Sequence, residues 1–110
     1  MKHRQEKIKE AITHAAGEYF TREAPLGYKG RALVTVTRTM ISPDSKKALV
    51  FLSIFPDNDE EQVLISLKRQ RSAFRAYIAE QTAVRPIPTI DFTIDAGEKN
   101  RQRIDELTRR

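Results

Sequence analysis

At 110 residues, with 39% apolar residues and no long polar or Gly/Ser-rich tract, the chain fits one compact domain around one core and has no room for a second. Lys and Arg outnumber Asp and Glu by 20 to 15, a net charge of +5, which favours polyanionic partners such as nucleic acid or an anionic surface. Cysteine is absent, which excludes a disulfide framework and thiolate metal ligation and fits a reducing compartment.

The N-terminus, Met1 to Lys7, is charged and leads into an amphipathic pattern instead of the apolar run of a signal peptide. No segment approaches the ~20 apolar residues of a membrane span, so a cytoplasmic, soluble protein is expected. From Gln5 to about Thr21, Ile8, Ile12, Ala15, Ala16, Tyr19 and Phe20 recur at helical spacing, with Lys7, Lys9, Glu10 and Glu18 facing away. This is the first helix. Glu23 to Gly30 combines a proline with two glycines and reads as an irregular connection.

Ala32 to Ile41 is rich in β-branched residues, and Lys47 to Phe55 alternates with Ala48, Val50, Leu52 and Ile54 on one face. Ser42-Pro43-Asp44-Ser45 between them supplies turn chemistry, so the two runs form a hairpin. In the first strand Val34 and Val36 are in phase, yet Arg38 falls on their face while Thr39 and Ile41 look like the later inward positions. A bulge near Arg38 reconciles the two.

Pro56 ends the second strand, and Asp57 with Glu60 has the spacing of a capping box, with Asp59, Glu60 and Glu61 placed to favour a helix N-terminus. The apolar face of that helix reads Leu64, Leu67, Arg71, Phe74 and Ile78. A straight helix would aim Arg71 into the core, where an unpaired charge costs roughly several kcal/mol. The helix is therefore expected to bend or break around Gln70 to Ser72. After Thr82, Val84-Arg85-Pro86-Ile87-Pro88 rules out helix, and Ile90, Phe92 and Ile94 alternate with polar residues as a third strand whose leading prolines favour a strand start or an edge. Asp95-Ala96-Gly97 is a turn. Glu98 to Arg110 is a charged helical tail with Ile104 and Leu107 as its apolar anchors.

The order helix, strand, strand, helix, broken helix, strand now stands beside a set of short motifs. These are Val36-Thr37, Ile41-Ser42-Pro43-Asp44, the return strand Lys47 to Ser53, Phe74-Arg75, Arg85 followed by Pro88 and Phe92, and Arg103-Ile104. Together they resemble ribosome-binding factor A, over almost the whole chain. The resemblance implies an α+β fold, a type II KH-like domain of order α-β-β-α-(kink)-α-β with a three-stranded sheet packed against helices. That domain covers residues 1–97, and 98–110 form the tail. It also implies a factor that binds the small (30S) ribosomal subunit and assists late maturation of 16S rRNA, often associated with cold adaptation. Its partners would be 16S rRNA and the immature subunit, together with ribosome-assembly GTPases. It would need no cofactor, bind no membrane and be a monomer when free.

In that family the two helices after the hairpin meet at a kink marked Ala-x-Gly, where other KH domains carry Gly-x-x-Gly. This chain has Gln70-Arg71-Ser72 there. Serine lacks the freedom of glycine at positive φ but can donate a hydroxyl hydrogen bond. The difference leaves two options, a kink of different geometry or an alignment offset by one residue.

Lys68, Arg69, Arg71 and Arg75, with Ser72, are candidates for a surface that tracks phosphates; the plainer reading is a solvated face with Glu partners. Lys46 and Lys47 on the hairpin and Arg85 ahead of the last strand could extend the patch or serve solubility alone. Charge reversal at both Arg71 and Arg75 is expected to abolish subunit binding and leave thermal stability nearly unchanged. Lys2, His3 and Arg4, and Lys99, Arg101, Arg103, Arg109 and Arg110, are either arms for RNA or ordinary charged termini. Tyr19, Phe20, Phe51, Phe74, Tyr77 and Phe92 read as core, with Tyr77 and Phe51 the two that could instead stack on bases.

Enzyme chemistry has no foothold. His3 and His14 lie in different environments without a carboxylate constellation, the serines lack a nucleophile-elbow context, and there is no Gly-rich phosphate loop. Two other classes of binder stay open: a protein-interaction module using a sheet edge or helix groove, and a KH-like binder of a non-ribosomal RNA.

Overall fold

A computed structural model describes residues 2–22, 33–55 and 60–97. Its elements are α1 (Lys2–Arg22), β1 (Leu33–Ile41), β2 (Lys47–Phe55), α2 (Glu60–Lys68), α3 (Arg71–Gln81) and β3 (Thr89–Ile94). β2 is the central strand, antiparallel to β1 and parallel to β3, so the α2–α3 pair is the crossover that parallel pairing requires. This is the α+β, KH-like order expected. The connection 23–30, Asp57 of the capping box and the tail 98–110 lie outside the described residues.

One face of the sheet is sealed. Val34 and Thr39 of β1, Ala48, Val50, Leu52 and Ile54 of β2, and Ile90 and Phe92 of β3 are buried together with the α1 stripe of Ile8, Ile12, Ala15, Ala16, Tyr19 and Phe20. Val63, Leu67, Phe74 and Ile78 complete the core from α2 and α3. Its centre is aromatic: Phe92 lies 5.5 Å from Phe20 and 5.6 Å from Phe74 between ring centroids, and Tyr19 meets Phe74 edge-on at 5.3 Å. The opposite face carries the exposed side chains of Leu33, Met40 and Phe55.

The bulge falls where the phase of β1 requires it. Val36 pairs with Leu52 and Arg38 with Phe51, so Thr37 is the extra residue. Its hydroxyl lies 2.6 Å from the buried Asp95 carboxylate, and the shift sends Arg38 to the outer face, its guanidinium 4.0 Å above the Phe51 ring. Thr39 turns inward, where its hydroxyl lies 2.8 Å from that of Thr13 on α1.

The helix breaks at Arg69-Gln70. The Gln70 amide donates to the Leu67 carbonyl at 2.9 Å, tightening the last turn, and the Gln70 carbonyl accepts from the Phe74 amide to start α3. Gln70 itself has φ −97° and ψ 9°, a conformation open to any residue, so this break requires no glycine. Tyr19 supports it from below, its hydroxyl donating to Gln70 Oε1 at 3.3 Å. Arg71 becomes the first residue of α3 with its side chain 47% exposed, while Leu67 and Phe74 on either side stay buried.

Candidate nucleic-acid interface

The break carries its cations to the outer side of β3. Arg71 Nη1 donates to Asp91 Oδ1 at 3.1 Å, and Lys68 Nζ stands 3.8 Å from the same oxygen. Parallel pairing sets Thr89 of β3 opposite Lys47 of β2, bringing the hairpin to the break. A shallow groove of about 570 Å³ runs between them, lined by apolar Met40 and Leu49 and by Lys47, Thr89, Asp91 and Arg71. Three cations from three elements, an apolar part of the lining and half-exposed head groups make a surface that can grip phosphates and still contact sugar or base.

The hairpin turn that positions Lys46 and Lys47 is tied by its own side chains. Ser42 Oγ donates to Asp44 Oδ1 at 2.6 Å and accepts from the Lys47 amide, while the Lys46 amide donates to Asp44 Oδ1 at 3.0 Å. These bonds, the Ser42 hydroxyl first, hold the Asp44 carboxyl below its ordinary value of 3.8. Ser45 takes the left-handed conformation, φ 61°, that closes the turn.

The remaining sequence candidates are placed differently. Arg69 and Ser72 are exposed at the break, and their side chains meet no partner among the described residues. Lys46 faces a second hollow, about 310 Å³, that it shares with Arg4, Gln5 and Pro86. Arg75 donates from Nε to the Pro88 carbonyl at 3.1 Å and from Nη2 to the Ile87 carbonyl at 2.9 Å, pinning α3 to the lead-in of β3. Arg85 sits at the other end of α3, donating from Nη2 to the Ala79 carbonyl at 2.8 Å, where a cation suits the helix C-terminus. Charge reversal at Arg75 would remove two backbone contacts, so the double change at Arg71 and Arg75 is expected to cost stability as well as binding. The partner of the cations at the break is an aspartate on β3, not the helical glutamates of the plainer sequence reading.

Neither aromatic exception is an open stacking platform. Tyr77 packs edge-on against Tyr19 at 5.2 Å and its hydroxyl donates to Glu18 at 3.3 Å, and Phe51 lies beneath Arg38. Asp91 is the residue that sequence reasoning missed. Its alternation along β3 marks it as outward, but only the parallel register places it beside the break.

Among the described residues no helix is long and apolar enough to cross a membrane, and no three His, Cys, Asp or Glu side chains stand together as a metal site. A family model described as Ribosome-binding factor A matches residues 4–108. The chain belongs to the ribosome-binding factor A family. A ribosome-binding factor A from Methylobacterium sp. (strain 4-46) is 31% identical over 109 residues, spanning 96% of this chain and 77% of the relative. Another, from Coxiella burnetii (strain Dugway 5J108-111), is 27% identical over 110 residues, covering all of this chain and 91% of the relative. The fold agrees with the crystal structure of ribosome-binding factor A from Thermus thermophilus, with a TM-score of 0.68 at 21% identity over 82% of this chain and 94% of that one. It also matches a homology model of Thermus thermophilus ribosome-binding factor A fitted into a cryo-EM map of a 30S complex with that factor, with a TM-score of 0.60 at 23% identity over 76% of this chain and 86% of that one.

Proposed function

We propose that the chain is a non-catalytic ribosome-assembly factor of the cytoplasm that binds the immature small subunit and assists late maturation of its 16S rRNA. In this reading residues 1–97 form the KH-like RNA-binding domain and residues 98–110 a charged tail. The free protein is a monomer, and no cofactor takes part. The observation that carries the reading is the helix break, which turns Arg71 out of the core and into one groove with the hairpin's Lys47, while Lys68 reaches the same Asp91 from α2. The Thermus thermophilus relative fitted into a 30S complex supports the choice of the small subunit as partner.

The mechanism follows from the surface. Cations contact phosphates and fix orientation, the hairpin and β3 match the shape of folded rRNA, and binding favours the conformer whose backbone fits. Arg69 and Ser72, exposed at the break, and Lys46, on the neighbouring hollow, extend the contact beyond the groove. The factor leaves when maturation, or an assembly GTPase, removes that conformer.

Co-sedimentation of the full chain with immature small subunits tests this. The chain is expected in the subunit fraction at low salt and to dissociate as salt rises, with log K falling against log[salt] by about 0.7 to 0.9 per phosphate contacted. The exposed Leu33, Met40 and Phe55 favour a second reading, a protein-interaction face on the outer sheet. An apolar contact of that kind responds weakly to salt, and persistent absence from the subunit fraction at low salt overturns the RNA reading.

A further inference from the structure

The cations at the break already hold an anion. Asp91 Oδ1 stands 3.1 Å from Arg71 Nη1 and 3.8 Å from Lys68 Nζ, and the Phe92 amide, 2.8 Å away, pins that oxygen in place. All three side chains are open to water, with exposures of 39% for Lys68, 47% for Arg71 and 48% for Asp91. Exposed ion pairs of this kind are weakly held, whereas a phosphodiester can offer a guanidinium two oxygens at once.

We infer that Asp91 is an internal stand-in for an RNA phosphate, a carboxylate that occupies Lys68 and Arg71 until RNA displaces it and so sets the affinity of the surface. This rests on the proposed RNA-binding role. Asp91 and Arg71 both line the groove, so a strand entering there meets the carboxylate as it meets the guanidinium. Binding then includes an exchange, Asp91 losing its cations as a phosphate gains them. One negative charge of the protein remains beside the bound backbone.

Asp91→Asn tests the exchange, because the amide oxygen can still accept from the Phe92 amide and from Arg71 while the charge is gone. Binding of the full-length variant to immature small subunits is expected to tighten by about two- to tenfold at low salt. Its salt dependence should steepen by up to about one phosphate contact. Combining it with Arg71→Gln should erase most of that gain, as a double-mutant cycle registers for groups acting through each other. Asp91→Thr, uncharged and suited to a strand, should tighten binding in the same direction if the asparagine variant folds poorly. Unchanged or weaker binding by the folded Asp91 variants, with Lys68 and Arg71 reversals still weakening the wild type, overturns the stand-in and leaves the RNA surface standing. Reversals without effect remove the surface, and the stand-in with it.

Discussion

Replacing Phe92 by alanine is expected to lower the unfolding free energy by about 3–5 kcal/mol, seen as a drop in the denaturant midpoint at unchanged slope. Phe92 is 1% exposed on β3, between Phe20 of α1 and Phe74 of α3, so its ring joins three elements that share no hairpin. Those neighbours hang on separate backbones and cannot all collapse into the space left. A chain of this size has roughly 5–15 kcal/mol of stability in total, so the single change removes a large share of it. Leu33→Ala, at a side chain 65% exposed on the outer face, is expected to stay within about 0.5 kcal/mol. A Phe92→Ala protein as stable as the wild type would mean that the sheet and helices do not close on this ring.

Reversing both charges at the break, Lys68→Glu with Arg71→Glu, is expected to weaken binding to immature small subunits by about a hundredfold or more at low salt, each reversal removing a phosphate contact and adding a repulsion. Stability should change by no more than about 1 kcal/mol, since both side chains and their shared aspartate partner are only partly buried. Arg75→Glu is expected to behave otherwise. Losing its bonds to the Ile87 and Pro88 carbonyls should cost about 1–2 kcal/mol. Thermal unfolding beside sedimentation separates the two effects, and a Lys68/Arg71 variant that unfolds would make those cations structural.

The sequence disclosed the features that local periodicity governs. The α1 stripe, the hairpin with its Ser42–Ser45 turn, and β3 follow from which side chains recur at helical or strand spacing. The two irregularities were also legible, because each is a conflict between charge and phase: Arg38 on an inward position demands the bulge, and Arg71 on the apolar stripe demands the break. What escaped is set by contacts between distant residues. Nothing near Arg71 announces Asp91, twenty positions on, and nothing near Arg75 announces two carbonyls ahead of β3. Gln70 lay within the expected break, but the support that makes it the pivot could not be foreseen. A glycine marks a turn in sequence, whereas a glutamine steadied by a tyrosine fifty-one residues away leaves no local mark.

The most direct test is a map of which peptides crosslink to RNA when the full chain is bound to an immature small subunit. Crosslinks should concentrate on Lys68 to Arg75 and on the hairpin around Lys46 and Lys47, with few on the outer strand positions Leu33 and Phe55. Crosslinks confined to other surfaces, with the 68–75 peptide untouched in a bound complex, would show that RNA does not dock at the helix break.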